Sequence, residues 1–212
     1  MTAADLTAVG PLEGELVRLL PLTAEHAPAL LEAAREHRER YRFTDVPGSP
    51  EAMRAYVERA LAQRSAQAAV PFAVTARHDG QVLGTTRFCY FEYWRRPADR
   101  PHRPAGRPDA AEIGYTWLAH RAQGTGVNRE SKRLLLEVAF ERWALSRITF
   151  RTDARNAYSR RALESLGAHL DGVLRSAQAG YDGTVRDNAV YSILDREWPT
   201  VRARLAAPGP SR

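Results

Sequence analysis

Residues suited to chemistry gather at Gln123-Gly-Thr-Gly126, a glycine turn that follows the strand-like run 113–118 and leads into an amphipathic helical stretch. Gly124 and Gly126 let the backbone approach a ligand closely and take positive φ. The unpaired N–H groups of the helix's first turn, with its dipole, face the same point. Phosphate is the natural occupant of such a turn. Among the 31 Lys+Arg residues only Lys132 is a lysine, and it stands early in that helix with Arg129 and Arg133 beside it. The expected anion contacts are therefore Gln123, Gly124, Thr125, Gly126, Asn128 and Lys132. A purely local role is open for two neighbours: Asn128 suits an ordinary N-cap and Glu130 an ordinary first-turn acid. No G-x-x-x-x-G-K-[ST] run occurs, and the third glycine of a dinucleotide fingerprint is missing.

The elements that must position this turn follow from periodicity and turn signals. Residues 15–20 alternate as a first strand, Thr23 caps a helix to about His37, and Ser49-Pro50-Glu51 opens a second helix to about Ala66. Residues 70–77 and 81–93 read as strands joined by a hairpin turn at His78-Asp-Gly80. Residues 94–109, rich in arginine and proline, have no period and form a loop. A strand at 111–118 precedes the glycine turn and its helix, which buries Leu134, Leu135, Val138 and Phe140. A strand at 146–153 and a helix capped at Asn156 and stopped by Gly167 come next. Strands at 169–177 and 185–194 and a helix at 197–205 complete the chain. The succession is mixed α/β about a single sheet, with flexible ends at 1–11 and 206–212.

At 212 residues, with 44% hydrophobic and 26% charged, the chain suits one globular domain. No apolar run reaches the length of a membrane span and the start has no leader-like pattern, so a cytoplasmic protein without a membrane partner is expected. The single cysteine, Cys89, excludes an internal disulfide and a Cys-rich metal site, and no metal is expected. A net charge of +6 points to an anionic partner without naming it. Nucleic acid is disfavoured, because no aromatic interleaves the arginines of 95–107 and the glycine turn would go unexplained.

Together, Glu112-Ile-Gly-Tyr-Thr-Trp-Leu118, Arg121-Ala-Gln-Gly-Thr-Gly126, Glu137-Val-Ala-Phe140, Asn156-Ala-Tyr-Ser159 with Leu166-Gly167, and the close from Gly183 through Tyr191 to Trp198 resemble the GNAT acyltransferase superfamily. Within it they are similar to the RimJ/RimL-type N-acetyltransferases. The resemblance spans roughly residues 12–205 and implies a GNAT fold: one mixed, mostly antiparallel sheet with a splayed parallel strand pair and flanking helices. It implies acetyl-CoA as cosubstrate, its pyrophosphate on the main chain of 123–126 and its pantetheine arm between strands 113–118 and 146–153. Main-chain contacts near Tyr115, Trp117 and Leu118, and a contact from Asn156, belong to the same implication. The acceptor is then an amine, either a protein N-terminus or a small molecule, and a homodimer is left open.

Ser159 stands where this branch commonly places a serine near the thioester sulfur, although Asn156 and Ser159 also suit a plain helix cap. Leu163 occupies the position where many members carry a proton-donating tyrosine, so Ser159 and then Tyr158 are the candidate acids. Glu112, whose burial would lift its pKa, is the candidate base, with His120 second. A non-catalytic acyl-CoA-binding module is the rival reading.

Overall fold

A computed structural model describes residues 6, 8–95 and 107–206. The Arg/Pro-rich loop expected at 94–109 lies mostly outside the described residues, as do most of the two terminal segments.

Eight strands form one sheet: β1 (Leu12–Glu13), β2 (Val17–Pro21), β3 (Ala69–Ala76), β4 (Val82–Glu92), β5 (Ala110–Leu118), β6 (Arg147–Asp153), β7 (His169–Ala179) and β8 (Val185–Leu194), in the order β1-β2-β3-β4-β5-β6-β8-β7. Helices α1 (Ala27–Ala33) and α2 (Pro50–Ser65) cover one face. Helices α3 (Val127–Glu137), α4 (Ala157–Leu166) and α5 (Trp198–Ala206) cover the other. The sequence order of elements is recovered, with the first helix shorter than expected. It ends at Ala33, and His37 takes a left-handed φ of 51°. The Arg38 guanidinium then bonds the carbonyls of Ala34, Val46 and Pro47, tying down the segment that would have continued the helix.

All neighbours in the sheet are antiparallel except β5 and β6, which a crossover through α3 makes parallel. That pair holds only three rungs, ending at Glu112 opposite Thr149. Beyond it β5 bends away. Thr85 faces Trp117 and Arg87 faces Gly114, so one residue on β4 opposes two on β5, with Tyr115 at φ 51°. Such a bulge kinks the strand that carries it. It also turns both Gly114 and Tyr115 toward the α2 face, where Arg87 lies over the Tyr115 ring, and returns Thr116 to the α3 face.

Glu130 is not merely a first-turn acid. Its carboxylate accepts the N–H groups of Glu15, Leu16 and Val17, fastening the β1–β2 turn to α3. A Cβ on Gly14 would sit 2.5 Å from that carboxylate, which is why glycine stands there. Glu130→Ala is expected to lower unfolding free energy by about 2 kcal/mol, since it removes three charge-assisted bonds at a turn that water partly re-solvates. Urea unfolding checks this. A loss under about 0.5 kcal/mol would mean water replaces the carboxylate fully.

Candidate active site

The gap between the parting strands β5 and β6 is a cleft of about 530 Å³. Its walls include Glu112, Tyr115, Thr116 and Leu118 from β5, Arg151 from β6, Asn128 and Lys132 from α3, and Asn156, Tyr158, Ser159 and Leu163 from the start of α4. Residues of the 39–45 segment, with Tyr90, Tyr181 and Arg186, close the other end.

Glu112 sits on the last rung before the strands separate and is 6% exposed. Burial pushes its carboxyl up to about 7, against the pull of Arg151 and Arg186. Arg151 Nη1 lies 3.1 Å from its Oε2 without an aligned hydrogen bond. Gly114 leaves room for the carboxylate: a Cβ there would be 2.9 Å from Glu112 Oε1 and 3.4 Å from Cys89 Sγ. Cys89 itself is a buried thiol whose pKa burial raises. His120, the second basic candidate, does not line the cleft and instead packs its ring 4.0 Å from that of His37.

The edge of β5 facing the gap differs in detail from the expected contacts. Ala119 donates its N–H to Leu83, and Thr85 Oγ1 donates to the Tyr115 carbonyl, so alternate amides point toward β4. The main chains of Tyr115 and Trp117 therefore face β4, and those of Thr116 and Leu118 face the cleft. Thr116 was missed by the sequence reading, because the bulge that sets this phase leaves no signal in composition. The Leu118 carbonyl is already taken, accepting from Tyr41 Oη at 3.1 Å and Gln123 Nε2 at 3.0 Å. The Trp117 ring turns to the α1/α2 side, edge-on to Tyr41, and its buried indole N–H finds no partner among the described residues.

At the mouth, Gly124 and Gly126 take φ of 75° and 91°, as an anion turn requires. Gly126, not Asn128, caps α3, because a left-handed residue directly precedes its first turn. The Gln123 N–H is not offered to a ligand, since it closes a turn onto the His120 carbonyl at 3.0 Å. The N–H groups of residues 124–128 have no acceptor among the described residues, and Gln123 and Asn128 flank them on the cleft wall. The cations expected beside them are turned elsewhere. Arg129 reaches the Arg204 carbonyl, and Arg133 pairs with Glu137 at 2.6 Å. Lys132 points inward, fully buried, to Thr116 Oγ1 at 2.6 Å and Thr86 Oγ1 at 3.1 Å. It lies on the helix face of Ser131 and Leu135, which packs on the sheet, so its ammonium is not at the glycine turn.

On α4, the Asn156 side chain accepts the Ser159 N–H at 3.0 Å, the local cap also read from sequence, and both residues still line the cleft. Tyr158 is half exposed at the rim. Leu163 is buried in the wall, where it can donate nothing. Arg151, Tyr90, Tyr181 and Arg186 escaped the sequence reading; their side chains meet only through sheet register and a hairpin.

The model of the Acetyltransferase (GNAT) domain matches residues 17–169. Among curated proteins, the Bacillus subtilis (strain 168) "Probable N-acetyltransferase YjcK" is 30% identical over 124 residues, covering 58% of this chain and 61% of its own length. The match thus spans about three fifths of that relative. Among solved structures, a T. thermophilus protein assigned as an acetyltransferase is 36% identical, with TM-score 0.75 over 93% of this chain and 95% of that one. The ribosomal L7/L12 alpha-N-protein acetyltransferase RimL shares the fold at 21% identity, with TM-score 0.72 over 88% and 94% of the two chains.

Proposed function

The chain belongs to the GNAT acetyltransferase family, and from that premise we propose that it is an acetyl-CoA-dependent N-acetyltransferase that moves an acetyl group onto a primary amine. The observation that carries the reading is the fork itself: a carboxyl titrating near neutrality on the last β5–β6 rung, with unpaired main-chain N–H groups at the mouth of the same cleft. Acetyl-CoA supplies the acetyl group as a thioester. The N–H groups of 124–128 hold its diphosphate, the free edge of β5 at Thr116 and the Leu118 N–H receive the pantetheine amides, and Asn156 and Ser159 close over the arm from α4.

Glu112 takes the proton from the incoming ammonium, and its raised pKa makes it a competent base at neutral pH. The kinked β5 main chain beside it stabilises the oxyanion of the attack. Alignment of a neutral amine against the thioester then provides most of the remaining acceleration. The acceptor enters from the α1/α2 side, past residues 39–45, Tyr90 and Tyr181. Protein N-termini and small-molecule amines are both chemically suited to that opening.

Incubating the protein with acetyl-CoA and a panel of amines, and following free thiol, tests the reading. The panel comprises N-terminal peptides, free amino acids and polyamines. Acceptor-dependent thiol release is expected for at least one class. The buried Leu163 in place of a proton donor favours a second reading, a non-catalytic acyl-CoA-binding module. Tight acetyl-CoA uptake with no thiol release for any class would favour it.

A further inference from the structure

Lys132 is a buried cation that the reading above leaves without a role. It is the chain's only lysine and is 3% exposed, and no described carboxylate pairs with it. Two neutral hydroxyls are poor compensation for burying an ammonium, and a methionine would fill the space between α3 and the sheet at lower cost. The two hydroxyls form a closed group with it, Thr86 Oγ1 and Thr116 Oγ1 lying 2.8 Å apart. Thr116 is the residue that the bulge returns to the α3 face while its main chain stays on the cleft edge. Ser159 and Leu163 line the same cleft from α4. Glu112 lies on the opposite face of β5, beside Cys89, so base and ammonium are kept apart and do not neutralise one another.

From this arrangement we propose that Lys132, acting through the Thr116 hydroxyl, supplies the proton taken up by the departing thiolate; the proposal rests on the reading of the cleft as an acetyl-CoA site. When the carbon–sulfur bond breaks, its electron pair stays on sulfur. The Thr116 O–H proton passes to that sulfur, and an N–H proton of Lys132 replaces it on the Thr116 oxygen. Lys132 is left neutral and is recharged from solvent, which receives the proton that Glu112 removed from the amine. The Thr116 hydroxyl is free to turn, since apart from Thr86 its one acceptor is the Gly114 carbonyl at 3.4 Å. Lys132 is a positioning residue in this scheme, and Thr116 is the group that meets the sulfur.

Burial lowers the Lys132 pKa to about 7, which suits a group that must both hold and release a proton at neutral pH. From β4, Cys89 is the titratable group whose charge reaches it. Arg87 and, from β5, Glu112 and Tyr115 lie on the other face of the sheet. On α3, Arg129, Glu130 and Arg133 are engaged at the surface, and on α4 Arg160 is turned to Tyr191.

Because the chain has a single lysine, protein labelled with ¹³C at lysine Cε gives one lysine resonance to titrate, alone, with CoA and with desulfo-CoA. CoA is expected to raise the Lys132 midpoint by about one pH unit by pairing it with a thiolate, and desulfo-CoA to leave it in place. Lys132→Met is expected to keep acetyl-CoA affinity within about twofold, to lower kcat about 10²-fold and to lose the fall in rate above neutral pH. Thr116→Val should match it and Thr116→Ser restore activity. Should Lys132→Met fail to fold, the labelled wild-type protein carries the test unaided. A midpoint indifferent to the thiol, or a kcat for Lys132→Met within about twofold of wild type, overturns the proposal. Absence of heat on titrating CoA overturns instead the reading of the cleft beneath it.

Discussion

Glu112→Gln lowers kcat by about 10²- to 10³-fold and leaves acetyl-CoA affinity unchanged, because it removes the proton acceptor at the fork while keeping shape and packing. The pH dependence changes with it. In the native protein the rate rises as Glu112 loses its proton near pH 7, and the variant has no such limb. The same substitution stabilises the fold above neutral pH. The folded-state pKa of Glu112 is raised above its unfolded value, so the folded chain binds the extra proton between roughly pH 4.5 and 7. Its contribution is fully present below the unfolded pKa and is lost as pH rises through about 7. Above that, a buried carboxylate with only Arg151 in reach is a cost, and glutamine removes up to about 3 kcal/mol of it. Steady-state rates and urea melts from about pH 5 to 9 measure both effects. Equal kcat for variant and wild type across that range would take Glu112 out of the reaction.

Gly84→Ala is expected to cost about 4 kcal/mol and about 10 °C in melting temperature, or to prevent folding altogether. Gly84 has a φ of 152°, and a Cβ there would meet the Trp117 carbonyl oxygen at 2.0 Å, the Leu118 Cα at 2.9 Å and the Trp117 carbonyl carbon at 3.0 Å. Every one of those atoms is backbone, so no rotamer change relieves the clash. β4 and β5 would have to part at the rungs that anchor the cleft wall. Gly172→Ala is the matched control, since nothing lies within 4 Å of its added carbon. A Gly84→Ala melting point within about 2 °C of wild type would show that the two strands are not so tightly joined.

The parts of this architecture that reside in local chain chemistry were readable in advance. Ser49 before Pro50 starts α2, Asn156 caps α4, Gly167 ends it at φ 98°, and the apolar period of α3 buries Leu134, Leu135, Val138 and Phe140. The positive φ of Gly124 and Gly126 was equally implicit in residue type. Lys132 was misplaced because nearness in sequence to the glycine turn was taken for nearness in space, whereas the helical period sets it with Ser131 and Leu135 against the sheet. The main-chain contacts of β5 shifted by one residue for a related reason: an added residue in the bulge reverses which amides face the gap. Arg151 over Tyr90, and Glu130 holding a turn more than a hundred residues earlier in the chain, depend on pairings between distant segments that no local pattern encodes.

The account turns on how the cleft grips its cosubstrate, and a crystal structure of the complex with CoA tests that most directly. The diphosphate oxygens should lie within hydrogen-bond distance of the N–H groups of residues 124–128, with the pantetheine arm between β5 and β6 and the thiol beside Thr116. CoA seated elsewhere, or a fork closed by its own side chains with the diphosphate away from the glycine turn, would contradict it.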